Sequence, residues 1–238
     1  MDAPKIIYED SQFFVVDKPS GWITNEAGTT TTQPVIQKWI KENFEYSLKN
    51  NWDTRDGIVH RLDKETSGLL LVAKTKQAFE ELQRQFKERL VSKTYIALVH
   101  GQTSHPAGVI NEPVGRLPWR RDRFGVLAGG REATTRYKVI RYYVNSENEK
   151  FTLLELKPET GRTHQIRIHL KHIGYPIVSD EFYAGRKTAR TDRKWCPRLF
   201  LHASEIKFLH PITGKVVNLK SELASDLRET LEQLTALA

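Results

Sequence analysis

The stretch GIVHRLDKETSGLLLVAKT, residues 57–75, places a cluster of charged side chains directly before one of the most apolar runs in the chain. Residues 69–73 predict a short buried strand, bounded by Gly68 and Lys74. Burial makes a nearby charge costly unless that charge is paired or used. The carboxylate of Asp63 is therefore either part of a structural ion pair or a functional group.

The composition predicts an ordinary cytoplasmic protein. The chain has 238 residues, of which 39% are hydrophobic, and it contains no repeat or Gly/Ser-rich linker, so we expect a single domain over residues 1–238. Its one cysteine, Cys196, excludes an internal disulfide. We find no signal peptide and no apolar run approaching the roughly 20 residues that span a membrane.

The charge of the chain indicates a polyanionic partner. Lys and Arg number 37 against 29 Asp and Glu, a formal net charge of +8. The excess is uneven, since residues 115–143 and 184–198 hold many basic residues interleaved with aromatic ones. The aromatic residues are Trp119, Phe124, Tyr137, Tyr142, Tyr143 and Trp195. Arginine and aromatic rings both stack on bases, so the pattern favours RNA over a membrane, with solvated loops beside core aromatics as the alternative.

The pattern of apolar residues predicts an α+β fold with a mixed, mostly antiparallel sheet flanked by helices. The predicted elements are strands at 5–10, 13–19, 69–73 and 93–101, helices within 34–44 and at 76–90, a hairpin across 133–158, two strands around Thr213-Gly214 within 198–220, and a C-terminal amphipathic helix within 221–238 with Ser221 as N-cap. The second helix has a core-facing stripe formed by Phe79, Leu82, Phe86 and Leu90. For residues 164–174 the pattern leaves helix and strand open.

Three apparent signals carry little weight. HRLD, residues 60–63, is similar to a kinase catalytic loop, but no glycine-rich phosphate loop accompanies it. The histidines at 164, 169 and 172 lack an acidic or cysteine partner with suitable spacing, so we expect no metal site. The turn at residues 161–164 could cradle a phosphate, which is a weak indication by itself.

Four motifs, read in order, resemble the RluA family of RNA pseudouridine synthases. They are VVDKPSG at 15–21, HRLDKETSGLLLVAKT at 60–75, KERLVSKTYIALVHG at 87–101 and ETGRTHQIRIHLKHIGYPIVSDEFY at 159–183. The histidine at position 60, where related synthases carry a glycine, favours the RluA branch. The resemblance implies a pseudouridine synthase catalytic fold and the isomerisation of uridine within RNA, without a cofactor.

The resemblance also implies roles for three catalytic residues. Asp63 is the essential carboxylate, which either adds covalently or deprotonates the sugar towards a glycal. Arg167 is the expected partner of Asp63, since a guanidinium favours the charged form of a neighbouring carboxylate. Tyr95 is expected to pack against the target base and to take part in removing the C5 proton, with a plain core tyrosine as the alternative.

RNA binding is expected to come from the catalytic domain itself, since the first strand begins near Lys5 and leaves no room for a separate N-terminal RNA-binding domain. Arg61 is expected to hold the RNA with its uridine flipped out, with helix capping or a salt bridge as the alternative. The other candidate contacts are Lys93, Arg162, His164, Gln165, Arg186, Lys187, Arg190, Arg193 and Lys194. Residues 102–130 and 184–198 depart most from the family pattern, so they are expected to select the substrate.

The resemblance leaves the substrate open between ribosomal RNA and transfer RNA, with ribosomal RNA favoured. We expect the protein to be a monomer.

Two other classes of function stay as alternatives. A catalytically silent RNA-binding module would have no reason to combine Asp63, Tyr95 and Arg167. A nucleoside or glycoside hydrolase usually needs a second carboxylate, and none stands out in the sequence.

Overall fold

The computed structural model describes residues 2–26, 32–118 and 120–237, except for the side chains of residues 121 and 122. Trp119, one of the predicted RNA-facing aromatics, lies outside the described residues. The chain divides into two compact units. The first unit comprises Met1–Lys93 and Ala203–Glu222, and the second comprises Thr94–His202 and Leu223–Ala238.

The described residues form twelve strands and five α-helices. The strands are β1 (Lys5–Glu9), β2 (Phe13–Lys18), β3 (Ser67–Ala73), β4 (Ser92–His100), β5 (Ala107–Asn111), β6 (Val114–Leu117), β7 (Arg120–Val126), β8 (Thr134–Val144), β9 (Lys150–Pro158), β10 (Leu201–Leu209), β11 (Val216–Lys220) and β12 (Thr235–Ala236). The helices are α1 (Ile36–Asn43), α2 (Lys76–Lys87), α3 (Gln165–His172), α4 (Arg186–Asp192) and α5 (Ser225–Glu232). None of the helices in the described parts of the chain is long and apolar enough to cross a membrane.

The first unit is built around β3, which confirms the strand predicted at residues 69–73. All seven residues of β3 are buried, and β3 pairs with β2 in antiparallel register, with Asp17 opposite Leu69. A strand buried on both faces reads as a continuous apolar run, which explains the sequence LLLVA. Gly68 has φ +109°, and a Cβ there would lie 2.2 Å from the carbonyl oxygen of Ala203 in β10, so this position requires glycine.

Helix α2 confirms the predicted cover for the sheet, with one correction. The hydroxyl of Thr75 accepts a hydrogen bond from the backbone N–H of Ala78 and caps the helix. The residues of the predicted stripe that pack in the core are Phe79, Leu82 and Phe86. The prediction for Leu90 was wrong, because the helix ends at Lys87, Arg89 adopts a left-handed φ of 61°, and Leu90 is 48% exposed.

The second unit confirms the predicted hairpin as β8 and β9. Strand β9 pairs with β4 on one side and β8 on the other, and β5 and β12 also pair with β8. Strands β6 and β7 form a separate two-stranded sheet. Residues 164–174, which the pattern left open, contain helix α3.

One local prediction needs correction. Ser221 does not cap the last helix: α5 begins at Ser225 after Ala224, and the Ser221 hydroxyl instead donates to the carboxylate of Asp17 at 3.0 Å. Of the two basic segments, the first contains β6 and β7 and the second contains α4. The α+β class with mostly antiparallel pairing is confirmed.

Candidate active site

Asp63 lies in the loop that precedes β3. Hydrogen bonds hold the backbone of this loop at Asp63 and at the residue before it. The hydroxyl of Thr24 donates to the carbonyl oxygen of Leu62 at 2.9 Å and accepts from the N–H of Leu62 at 3.2 Å. The N–H of Thr66 donates to the carbonyl oxygen of Asp63 at 3.1 Å. The backbone on both sides of Asp63 is therefore held, while its side chain stays half-buried.

Lys18, in the motif VVDKPSG, connects the N-terminal motif to this loop. Its side chain is fully buried, and its ammonium donates to the carbonyl oxygens of Pro19, Trp22 and Lys64 at 3.0, 2.9 and 3.2 Å. A buried ammonium is tolerated because these carbonyls replace its water. The residue following Asp63 is thus tied to the turn that follows β2.

Two further hydrogen bonds join the same motif to the Asp63 loop. The N–H of Gly21 donates to the carbonyl oxygen of Lys64 at 2.8 Å, and the hydroxyl of Ser20 donates to that of Glu65 at 2.9 Å. Supporting contacts of this kind fix the geometry of a functional group in advance. The arrangement fits a carboxylate that must be aimed at a substrate.

His60 has a structural role that the sequence did not reveal. Its Nε2 accepts the N–H of Leu71 at 3.0 Å, and its ring stacks on Phe86 at a centroid distance of 5.0 Å. Burial and the neighbouring charge of Lys93 lower the pKa of His60 to about 3, so the ring is neutral. Lys93 itself is half-buried, 5.6 Å from the Phe86 ring, and burial lowers its pKa to about 8.

We predict that Lys18→Met destabilises the protein by about 2–4 kcal/mol, because three carbonyl oxygens lose a charged donor. Urea unfolding would measure the change in the free energy of unfolding. Lys64→Met is the matched control, since that side chain is exposed and only its backbone takes part. Equal stabilities for the two variants would contradict a supporting role for the Lys18 ammonium.

The second unit holds the other two predicted catalytic residues. Tyr95 lies on β4 opposite Leu156 of β9 and is 8% exposed. Arg167 lies on α3 and is 5% exposed. Its Nε and Nη2 donate to the two carboxylate oxygens of Asp180, at 2.8 and 2.9 Å. This bidentate pair fixes the plane of the Arg167 guanidinium.

Asp180 also shapes the turn that follows it. Its Oδ1 accepts the N–H groups of Phe182 and Tyr183 at 3.0 and 3.1 Å. The Arg167 guanidinium lies 5.5 and 5.1 Å from the centroids of these two rings, within the range of cation–π contacts. The Tyr183 hydroxyl in turn lies 3.0 Å from Nδ1 of His164, which precedes α3 with a left-handed φ of 55°.

Gln165, a predicted RNA contact, is buried and engaged at both ends. Its Nε2 donates to the carbonyl oxygen of Thr134 and to the hydroxyl of Thr135, both at 3.0 Å. Its Oε1 accepts the N–H of Arg162 at 3.0 Å and the hydroxyl of Thr160 at 2.7 Å. The RNA contact of Gln165 stays a prediction, and this burial does not support it. The side chain instead connects the turn at residues 161–164 to β8.

The remaining predicted RNA contacts are mostly exposed. Arg61 is exposed, and its RNA contact stays a prediction. Arg162 and His164 are half-buried. Five candidates from the second segment are all exposed, on or just after α4, namely Arg186, Lys187, Arg190, Arg193 and Lys194.

His169, one of the three histidines near α3, belongs to the core. His169 is fully buried, and its ring nitrogens lie 2.9 Å from the Thr135 hydroxyl and 3.0 Å from the carbonyl oxygen of Glu112. Burial lowers the pKa of His169, which is therefore a neutral core residue. Within residues 2–26, 32–118 and 120–237, no group of three His, Cys, Asp or Glu side chains could hold a metal ion.

The sequence profile of the RNA pseudouridylate synthase family matches residues 12–172, which include Asp63, Tyr95 and Arg167. The chain belongs to this family. The predicted resemblance is thereby confirmed, and this RNA pseudouridine synthase is an isomerase that converts uridine to pseudouridine. The roles of the individual residues, including the pairing of Asp63 with Arg167, stay predictions.

Individual relatives agree with this assignment. The chain is 39% identical to an uncharacterized RNA pseudouridine synthase of Bacillus subtilis, over 96% of this chain and 72% of that protein. It is 36% identical to ribosomal large subunit pseudouridine synthase D of Nitrosomonas europaea, over 98% of this chain and 66% of that protein. The structure of human RNA pseudouridylate synthase domain containing 1 superimposes with a TM-score of 0.76 at 25% identity, covering 99% of this chain and 89% of that one.

Proposed function

We propose that this synthase modifies uridines at defined positions in large-subunit ribosomal RNA, with Asp63 as the essential carboxylate. The observation that carries the catalytic proposal is the loop at residues 60–66, in which hydrogen bonds from Thr24, Lys18 and Gly21 hold the backbone on both sides of Asp63. The substrate is inferred from the relative in Nitrosomonas europaea, which is named a ribosomal large subunit pseudouridine synthase.

The reaction breaks the bond between C1′ of the ribose and N1 of uracil and forms a bond between C1′ and C5. The base rotates between these steps, loses the proton on C5 and gains one on N1, so atoms and charge balance without a cofactor. Asp63 begins the reaction either by adding covalently to the nucleotide or by removing a sugar proton to form a glycal. Both routes require an ionised and fixed carboxylate.

The other two catalytic residues are proposed to act around the same base. Tyr95, held in the buried strand β4, packs against the detached uracil and takes part in removal of the C5 proton. Arg167 provides positive charge for Asp63, and the bidentate pair with Asp180 supports this role by fixing the guanidinium. The buried Asp180 is a carboxylate that the sequence did not single out, but its bonds to Arg167 and to two N–H groups make it a structural anion rather than the second acid of a glycosidase.

The target uridine must leave its base stack before it reaches Asp63, at a cost of a few kcal/mol. Phosphate contacts offset this cost, and the exposed basic side chains of α4 and Arg61 are the proposed source. The whole chain would then serve as one catalytic and RNA-binding domain, acting as a monomer in the cytoplasm.

We predict that replacing the five basic residues of α4 and its C-terminal flank with Gln weakens RNA binding and its salt dependence. Those residues are Arg186, Lys187, Arg190, Arg193 and Lys194. Each phosphate contact that is lost should reduce the slope of log affinity against log salt by about 0.7–0.9. Fluorescence anisotropy with a labelled ribosomal RNA fragment at several salt concentrations measures the slope.

The control for this experiment removes the same charge elsewhere. Five exposed lysines of the first unit are changed to Gln, namely Lys38, Lys76, Lys87, Lys207 and Lys215. A slope that changes equally in both variants would show that net charge, and not the α4 surface, determines RNA binding.

Mapping pseudouridines in cells with and without the gene tests the proposed substrate. Carbodiimide labels pseudouridine and stops reverse transcription, so each modified position gives a stop. We expect the deletion to remove one or more stops in large-subunit ribosomal RNA, and the wild-type gene to restore them. Stops lost only from transfer RNA would overturn the ribosomal substrate while leaving the isomerase activity intact.

A further inference from the structure

A cavity of about 400 Å³ lies in the second unit, within the usual size range of ligand sites. Three segments form its walls: β6, the end of β7 with the turn after it, and the turn before α3. The catalytic roles proposed above use none of these wall residues.

The lining of the cavity is positively charged. Arg116, Arg131 and Arg162 line it, and none of the described residues in its walls is acidic. Arg162 is oriented by its own contacts, since its Nε donates to the carbonyl oxygen of Glu132 at 3.1 Å. Three guanidinium groups around one cavity suit an anionic ligand, because a single guanidinium can donate two parallel hydrogen bonds to two oxygens of one phosphate.

One wall offers an aromatic surface and another offers bare backbone. Phe124 lines the cavity, and the Arg116 guanidinium lies 4.9 Å from the centroid of its ring. Four glycines line the cavity, namely Gly115, Gly129, Gly130 and Gly161. A backbone without side chains lets a phosphate or a base approach closely. Stacking surface and positive charge together are what a nucleotide requires.

The cavity is rigidly connected to the helix that carries Arg167. Residues 161–163 form one wall, and Gln165, the first residue of α3, accepts the N–H of Arg162 and donates to β8. A ligand in the cavity would therefore be held at a fixed distance from Arg167, two residues beyond Gln165. We propose that this cavity, the Arg116 pocket, binds a second nucleotide of the RNA substrate, outside the target uridine. This proposal rests on the proposed function.

A direct binding experiment tests the pocket independently of catalysis. In ¹H–¹⁵N spectra of the full chain, uridine 5′-monophosphate and adenosine 5′-monophosphate should each shift the amide signals of Gly115, Gly129, Gly130 and Gly161 in a saturable way. Inorganic phosphate should need at least about tenfold higher concentrations, because it lacks the stacking contribution. Unchanged glycine signals, or saturation by phosphate at equal concentration, would overturn the proposal.

Matched variants connect the pocket to the RNA. Arg116→Gln/Arg131→Gln removes two positive charges from the pocket, and Lys150→Gln/Lys157→Gln removes two from exposed positions on β9, outside both basic segments. The pocket variant should bind the nucleotides at least about tenfold more weakly, and the control should change by less than about twofold.

The same variants are then compared in pseudouridine formation on the RNA identified by mapping. We expect the half-saturating RNA concentration to rise about tenfold in the pocket variant, with the rate at saturation changed by less than about twofold. An equal rise in the control would overturn the pocket as an RNA site. A wild-type protein that forms no pseudouridine on any RNA would refute the proposed substrate and roles, whereas the nucleotide titration would still decide whether the pocket exists.

Discussion

Asp63→Asn is expected to give a folded protein that binds RNA and forms pseudouridine at least about 10³-fold more slowly than the wild type. Asparagine keeps nearly the same volume and some hydrogen bonding but removes the negative charge that either catalytic route requires. The loop should keep its shape, because Thr24 and Lys18 hold the backbone around position 63 and not the carboxylate.

The measurement must be chemical, since substrate and product have equal mass. Carbodiimide labelling followed by reverse transcription gives the rate at the mapped position, and urea unfolding gives the stability. Asp53→Asn is the matched control, because Asp53 is exposed and lies in the same unit. If Asp63→Asn gave the reverse-transcription stop at a rate comparable to that of the wild type, the catalytic assignment would be disproved. If the variant were unfolded, Asp63 would be chiefly a structural residue.

Arg167→Met is expected to lower both turnover and stability. The buried Asp180 carboxylate would lose its cation, and breaking a buried ion pair on one side costs about 3–5 kcal/mol. Turnover at neutral pH should fall by orders of magnitude, with RNA affinity less affected, if Arg167 is the partner of Asp63 as proposed.

A double variant separates these two effects. Arg167→Met/Asp180→Asn removes both charges, so it should recover part of the lost stability. Turnover should stay at least about 100-fold below wild type, since the guanidinium is still missing. Single-turnover rates and urea unfolding, measured on the same preparations, provide the comparison. Recovery of activity together with stability would mean that Arg167 acts only through the fold.

Elements with a strong local pattern were predictable. The run LLLVA is apolar at every position, so it could only be a strand buried on both faces or part of a buried helix, and its short length indicated the strand. Helix α2 has apolar residues every three or four positions and a threonine cap at its start. Its end was mispredicted at Leu90, because the left-handed turn at Arg89 leaves no signal in hydrophobic periodicity.

Residues 164–174 show where local pattern fails. The pattern of apolar residues in HQIRIHLKHIG fits both the two-residue period of a strand and the 3.6-residue period of a helix. Six of the eight residues of α3 are buried, so the sequence shows no polar face that would mark a helix. The state was decided by contacts distant in sequence, such as those of Gln165 with Thr134 and of His169 with Glu112. The acid Asp180, which follows the apolar residues 176–178, could have been singled out as a buried charge that needs a partner.

The sequence by itself determined the family and the α+β class, and it predicted Asp63 as the catalytic carboxylate, because motifs and periodicity are properties of neighbouring residues. Only the tertiary structure decided what holds these groups. Lys18 binds the carbonyl of Lys64 across 46 positions, Arg167 binds Asp180 across 13, and three separate segments enclose the Arg116 pocket. Such contacts depend on how the chain returns on itself, and the free energy of burying a charge is settled only when its partners are in place.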